Sequence, residues 1–86
     1  MINMNEAEKA TARLLEVMET LRRECPWDRE QTFESLRNNT IEETYELADA
    51  IADSNMEGIK EELGDLLLHV IFYSKLGEEE GRFDFG

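Results

Sequence analysis

From Leu66 to Tyr73 the chain runs Leu66-Leu67-Leu68-His69-Val70-Ile71-Phe72-Tyr73, apolar nearly all the way round a helix. A helix of this kind is stable only where it is covered on most of its sides. The nearly uncharged run from Leu66 to Ser74 is too short to span a bilayer, so the cover has to be protein. With 86 residues, one thin layer of helices cannot supply it, and a single small core is marginal. The expectation is an all-α, antiparallel helical bundle whose core is completed by oligomerisation.

Periodicity supports three helical segments. Ala7, Ala10, Leu14, Met18 and Leu21 recur every three or four residues and form an apolar stripe. Cys25-Pro26-Trp27-Asp28 ends that helix, because proline lacks a backbone donor and restricts the residue before it. Gln31 or Thr32 starts a short stretch through Phe33 and Leu36, and Asn38-Asn39 is expected to kink the chain. Thr40 then caps a stronger helix, with Glu43 completing a capping box. On its wheel Ile41, Thr44, Tyr45, Leu47, Ala48, Ile51 and Ala52 share one side, while Glu42, Glu43, Glu46, Asp49 and Asp53 share the other. Ser54 or Asn55 caps the last helix, Ser54 forming a second capping box with Glu57. That helix is expected from Met56 to about Leu76, ended by Gly77 or Gly81. No strand alternation, repeat or low-complexity tract interrupts this pattern.

The helices carry acidic pairs spaced three apart, Glu43 with Glu46 and Glu62 with Asp65. Residues at i and i+3 are neighbours on a helix surface, so each pair presents two carboxylates to one point. Two such helices packed antiparallel would gather four carboxylates, the oxygen-rich setting that Mg²⁺ prefers. A solvated acidic face explains Glu42 through Asp53 without any metal, and for that helix alone it is the favoured reading. The last helix resists that reading, since Asp65 sits at the mouth of the apolar run. A buried, unpaired carboxylate costs several kcal/mol, so such groups are paired or bind metal. Lys60 lies on the opposite side of the wheel, which leaves a cation from solution as the natural partner.

A formal net charge of −12 weighs against nucleic acid and anionic membranes, though not against nucleotides bridged by a divalent cation. Hydrophobic content of 41% argues against disorder. The lone Cys25 rules out an internal disulfide and fits a reducing compartment, and the N-terminus has no apolar signal region. A cytoplasmic protein is the expectation. No Ser-His-Asp or Cys-His nucleophile and no Walker-type phosphate loop is visible. A metal-activated water is the remaining route to chemistry on a phosphate.

Cys25-Pro26-Trp27-Asp28, then Gln31-Thr32-Phe33, Glu42-Glu43-Thr44-Tyr45-Glu46 and Glu61-Glu62-Leu63-Gly64-Asp65-Leu66-Leu67 together resemble the MazG nucleotide pyrophosphohydrolases. The tail Glu79-Glu80-Gly81-Arg82-Phe83-Asp84-Phe85 continues the match, which looks most like the first domain of longer members. The family motif is two adjacent glutamates, a third three residues on, a spacer, then Glu-x-x-Asp. Fifteen residues separate Glu46 from Glu62 here.

The resemblance implies residues 1–86 as one MazG-like domain, either an excised domain or a natural short form, since relatives continue into a further helix bearing basic residues. It implies hydrolysis of a nucleoside triphosphate to the monophosphate and pyrophosphate. Glu43, Glu46, Glu62 and Asp65 would hold Mg²⁺, or Mn²⁺ in its place. Glu42 or Glu43 would orient or deprotonate the attacking water. A homodimer at least, or a tetramer, is implied. Trp27 has two readings, stacking on a nucleobase or sealing a core, of which packing is favoured. Arg29, Arg37 and Lys60 either contact phosphates or act as surface counter-charges. His69 reads as a satisfied core histidine or as support for the metal ligands. A non-catalytic dimerisation or regulatory module that binds Mg²⁺ or nucleotide is the alternative function. A purely structural acidic bundle is the third.

Overall fold

The computed structural model describes residues 2–86, which form four helices and no strand, as an all-α chain should. They divide into two compact units, 1–30 and 31–86.

In the first unit, helix α1 spans Met4–Glu24. The Asn3 side chain caps it by accepting from the Glu6 amide at 3.2 Å, and Arg22 and Arg23 sit in its last turn against the negative end of the helix. Cys25 is extended and closes α1, with its amide bonded to the Leu21 carbonyl. Pro26 does more than end α1. It opens the short helix α2, Pro26–Glu30, because the first helical position needs no amide and favours proline's fixed φ. The Arg22 guanidinium donates to the carbonyls of Asp28 at 2.7 Å and Arg29 at 2.8 Å, tying the end of α2 back to α1. Trp27 lies on α2 rather than in a loop and is 55% exposed, so the expectation that it seals a core is corrected.

The second unit is an antiparallel helical hairpin. Helix α3 runs unbroken from Phe33 to Ala52. Its capping box is Thr32 with Ser35: the Ser35 amide donates to Thr32 Oγ1 at 3.1 Å, and the Thr32 amide to Ser35 Oγ at 2.8 Å. The expected kink at Asn38-Asn39 and the cap at Thr40 are therefore both absent. Thr40 is mid-helix, its hydroxyl back-bonded to the Leu36 carbonyl. Asp53 and Ser54 make the turn, Ser54 at a φ of +52°, and Asn55 caps helix α4, Met56–Glu79, through the Gly58 amide. Asn55 rather than Ser54 is thus the cap.

Helix α4 ends at Gly81, whose φ of +68° places it in the left-handed region that glycine favours. The Gly81 amide donates to the Glu78 carbonyl and the Arg82 amide to that of Gly77, a Schellman closure. Gly77 stays inside the helix and is buried. The tail after Gly81 brings the Phe83 ring onto Gly77, so close that a β-carbon there would overlap it. Phe33 stacks on Tyr73 with centroids 5.7 Å apart and meets Phe83 at 6.4 Å. Leu36, Ile71, Phe72 and Leu76 form the buried part of this unit. Leu63, Leu67, Leu68 and Val70 remain exposed, so only part of the apolar circumference of α4 is covered within the chain. No helix of the described residues is long and apolar enough to cross a membrane.

Candidate metal centre

The face that α3 turns towards α4 reads Leu36, Thr40, Glu43, Leu47, a spacing of four, three and four that keeps one side of a helix. Glu43 thus belongs to the inner face, not to the outer acidic side with Glu42 and Asp49. Glu62 and Asp65 answer it from α4. Carboxylate oxygens of Glu43, Glu62 and Asp65 lie within 4.8 Å of one another. Glu46 is exposed, one turn beyond Glu43, and its carboxyl meets that of Glu62.

Like charges at this separation favour protonation. The contact with the Glu43 side chain raises the Glu62 carboxyl above the ordinary glutamate value of 4.5, and burial reinforces it. The charges of Glu43 and Asp65 add to the rise, while the hydrogen bond with Glu46 opposes it. Glu46 is raised too, first by its hydrogen bond with Glu62, then by the charge of Glu62, with smaller contributions from burial, Glu42 and Asp65. Oε2 of Glu43 and Oε2 of Glu62 are sealed from solvent and accept no hydrogen bond. Buried acceptors of this kind are normally satisfied. Hard oxygen donors, excess negative charge and orphaned lone pairs together fit a divalent cation such as Mg²⁺.

The other residues singled out from the sequence sit elsewhere. Glu42 is exposed on α3, near enough to Glu46 to raise its carboxyl. Lys60 is exposed on α4, beside a surface hollow lined by Glu57, Glu61 and Gly64. Trp27 and Arg29 belong to α2 of the first unit, and Arg37 is exposed on α3. His69 is half-buried and satisfied, its Nδ1 3.2 Å from Thr40 Oγ1. Thr40 also meets the Tyr73 hydroxyl at 2.5 Å. Sequence reasoning missed this polar cluster by treating Thr40 as a cap. The spacing of Leu36, Thr40 and Glu43 was the signal that placed it inside.

The sequence model of the MazG nucleotide pyrophosphohydrolase domain matches residues 31–86, the same residues that make up the second unit. The chain is 53% identical over 76 residues to a nucleoside triphosphate pyrophosphohydrolase of Escherichia coli K12, covering 85% of this chain and 29% of the relative. It is 48% identical over 82 residues to the nucleoside triphosphate pyrophosphohydrolase/pyrophosphatase MazG of Thermotoga maritima, covering 93% and 32% respectively. A nucleoside triphosphate pyrophosphohydrolase of Mycobacterium tuberculosis is 45% identical over 69 residues, covering 80% and 21%. The chain spans about a third or less of the length of these relatives. On the match over residues 31–86, the chain belongs to the MazG nucleotide pyrophosphohydrolase family.

Proposed function

We propose that this chain carries the active centre of a Mg²⁺-dependent nucleoside triphosphate pyrophosphohydrolase, releasing the monophosphate and pyrophosphate. The carrying observation is the meeting of Glu43, Glu62 and Asp65 within 4.8 Å, with two sealed carboxylate oxygens that accept no hydrogen bond. The names of the relatives support the substrate class. Glu43, Glu62 and Asp65 would be the ligands, with Glu46, whose carboxyl meets that of Glu62, as the fourth. Mg²⁺ bound there, or Mn²⁺ in its place, would neutralise phosphate charge and acidify a bound water.

The remaining chemistry falls to the chain. A carboxylate cluster repels a bare triphosphate, so Glu43 and Glu62 would act through the cation they hold, which offsets the phosphate charge. Glu42, exposed beside Glu46, takes the proton from the attacking water. The water oxygen bonds to the α-phosphorus as the bridging bond to the β-phosphate breaks, and pyrophosphate leaves. Within the second unit, Lys60, exposed on α4, offers charge to phosphate. The exposed residues Leu63, Leu67 and Val70, at i, i+4 and i+7, support a second copy packing along α4 in a homodimer or larger assembly. A reducing cytoplasm suits the free Cys25.

Incubating the protein with a panel of nucleoside triphosphates and Mg²⁺, and assaying pyrophosphate, tests the reading. Asp65→Asn is expected to abolish both pyrophosphate release and the Mg²⁺-dependent rise in melting temperature. If the substitution leaves both unchanged, the metal-site reading fails.

A further inference from the structure

One turn along the hairpin from the carboxylates, three polar side chains meet at a single oxygen. Thr40 Oγ1 is 3.1 Å from the Leu36 carbonyl, 3.2 Å from His69 Nδ1 and 2.5 Å from the Tyr73 hydroxyl. The Leu36 carbonyl can only accept, so the one hydroxyl proton of Thr40 goes to it. Both other contacts must then be donated to Thr40, by Tyr73 O–H and by His69 Nδ1–H. All three bonds are satisfied together only when His69 carries a proton on Nδ1, which for the neutral ring fixes the Nδ1–H tautomer.

Two of these bonds join α3 to α4, and their place in the layer order matters. Thr40 precedes Glu43 by three residues, and His69 follows Asp65 by four, so the cluster stands next to the carboxylates on the same inner faces. The carboxylate layer pushes the two helices apart whenever its groups are charged. The Phe33–Tyr73 stack at 5.7 Å anchors the Tyr73 ring from the other side, giving the cluster a fixed base.

We propose that Thr40 is a positioning residue for the metal centre: through His69 and Tyr73 it clamps α3 to α4 at the spacing that keeps Glu43 against Glu62 and Asp65. The inference rests on the metal-site reading given above. A clamp of this kind acts on ligand geometry, and groups that orient metal ligands typically change affinity about 10- to 100-fold when removed. Thr40→Val keeps the shape and removes the hydroxyl; Thr40→Ser keeps the hydroxyl.

The test uses the full chain and Mn²⁺ as the probe, with binding followed by electron paramagnetic resonance and helix content by circular dichroism. Thr40→Val is expected to weaken Mn²⁺ binding about tenfold or more at unchanged helix content, and Thr40→Ser to restore it. Tyr73→Phe, which keeps the stack on Phe33, gives a weaker loss and serves if Thr40→Val does not fold. Independently, ¹⁵N NMR of the metal-free wild type at a pH where His69 is neutral is expected to show the proton on Nδ1, and Thr40→Val to move it to Nε2. Wild-type affinity in both Thr40→Val and Tyr73→Phe, or a wild-type His69 protonated on Nε2, overturns the clamp. Failure of the wild type to bind Mn²⁺ overturns the metal reading itself, and the clamp with it.

Discussion

Gly77 is inside a helix, where alanine normally stabilises by about 1 kcal/mol. Here the sign is expected to reverse. A β-carbon at position 77 would overlap the ring of Phe83, and the nearest atoms are the outer ring carbons, which swing away when pushed. The cost of Gly77→Ala is therefore capped by what the Phe83 ring gains from packing. Phe83 is 53% exposed, so it buries about half of its side chain, roughly 75–125 Å² for a phenylalanine. At about 25 cal/mol per Å² this comes to about 2–3 kcal/mol, and the lower end, about 2 kcal/mol, is used because unfolded chains bury some surface already. Displacing the ring and gaining helix propensity leaves Gly77→Ala about 1 kcal/mol less stable than wild type. Phe83→Ala loses about 2 kcal/mol. In that background Gly77→Ala meets no ring, so the double variant recovers about 1 kcal/mol. The coupling is about 2 kcal/mol, well above the scatter of independent sites. Thermal melts by circular dichroism at fixed Mg²⁺ resolve it, since each kcal/mol moves a chain of this size by about 4–8 °C. A rise in melting temperature on Gly77→Ala in the wild-type background, or the same shift in both backgrounds, would refute the packing of the tail on α4.

Two predictions concern the carboxylates. Glu62 and Glu46 have raised values in the folded chain, so their contribution to stability is present below the ordinary glutamate value of 4.5 and is lost as pH rises through the raised values. In chelator, Glu62→Gln should therefore melt above wild type near neutral pH, with the gap closing towards pH 4.5; added Mg²⁺ should reverse the order, and an unchanged gap across this range would defeat the assignment. Glu42→Gln should keep the Mg²⁺-dependent melting shift while slowing pyrophosphate release about 10²- to 10⁴-fold, as loss of a general base does, and full activity would remove Glu42 from that role.

The all-α class and the approach of Glu43 to Glu62 and Asp65 were legible in the sequence, whereas the cap and the end of α4 were narrowed only to Ser54 or Asn55 and to Gly77 or Gly81, of which the structure uses Asn55 and Gly81. Local rules misled where tertiary packing overrode them. Thr32-x-x-Ser35 and Thr40-x-x-Glu43 both resemble caps, and only the burial of Leu36 against α4 carries the helix through Asn38-Asn39 and makes Thr40 interior. A wheel drawn over 41–53 groups Glu43 with the outer acids, because Leu36 falls in the preceding stretch and Thr40 reads as the cap, so neither marks the inner face. Trp27 was misjudged because a bulky ring after proline carries no local sign of which side it faces.

The turn at Asp53, Ser54 and Asn55 is the only connection between the helices that hold Glu43 and those that hold Glu62 and Asp65. All three carboxylates therefore come from neighbouring elements in one hairpin, and the loop to be closed is short. Closing a short loop costs little chain entropy, and folds built on local contacts form quickly. The hairpin can thus zip from its turn, bringing Glu43, Glu62 and Asp65 together by local contacts alone. Assembly along Leu63, Leu67 and Val70 would follow as a separate, concentration-dependent event. In a nascent chain, α3 and α4 emerge one after the other, so the carboxylate cluster can form as soon as α4 clears the ribosome.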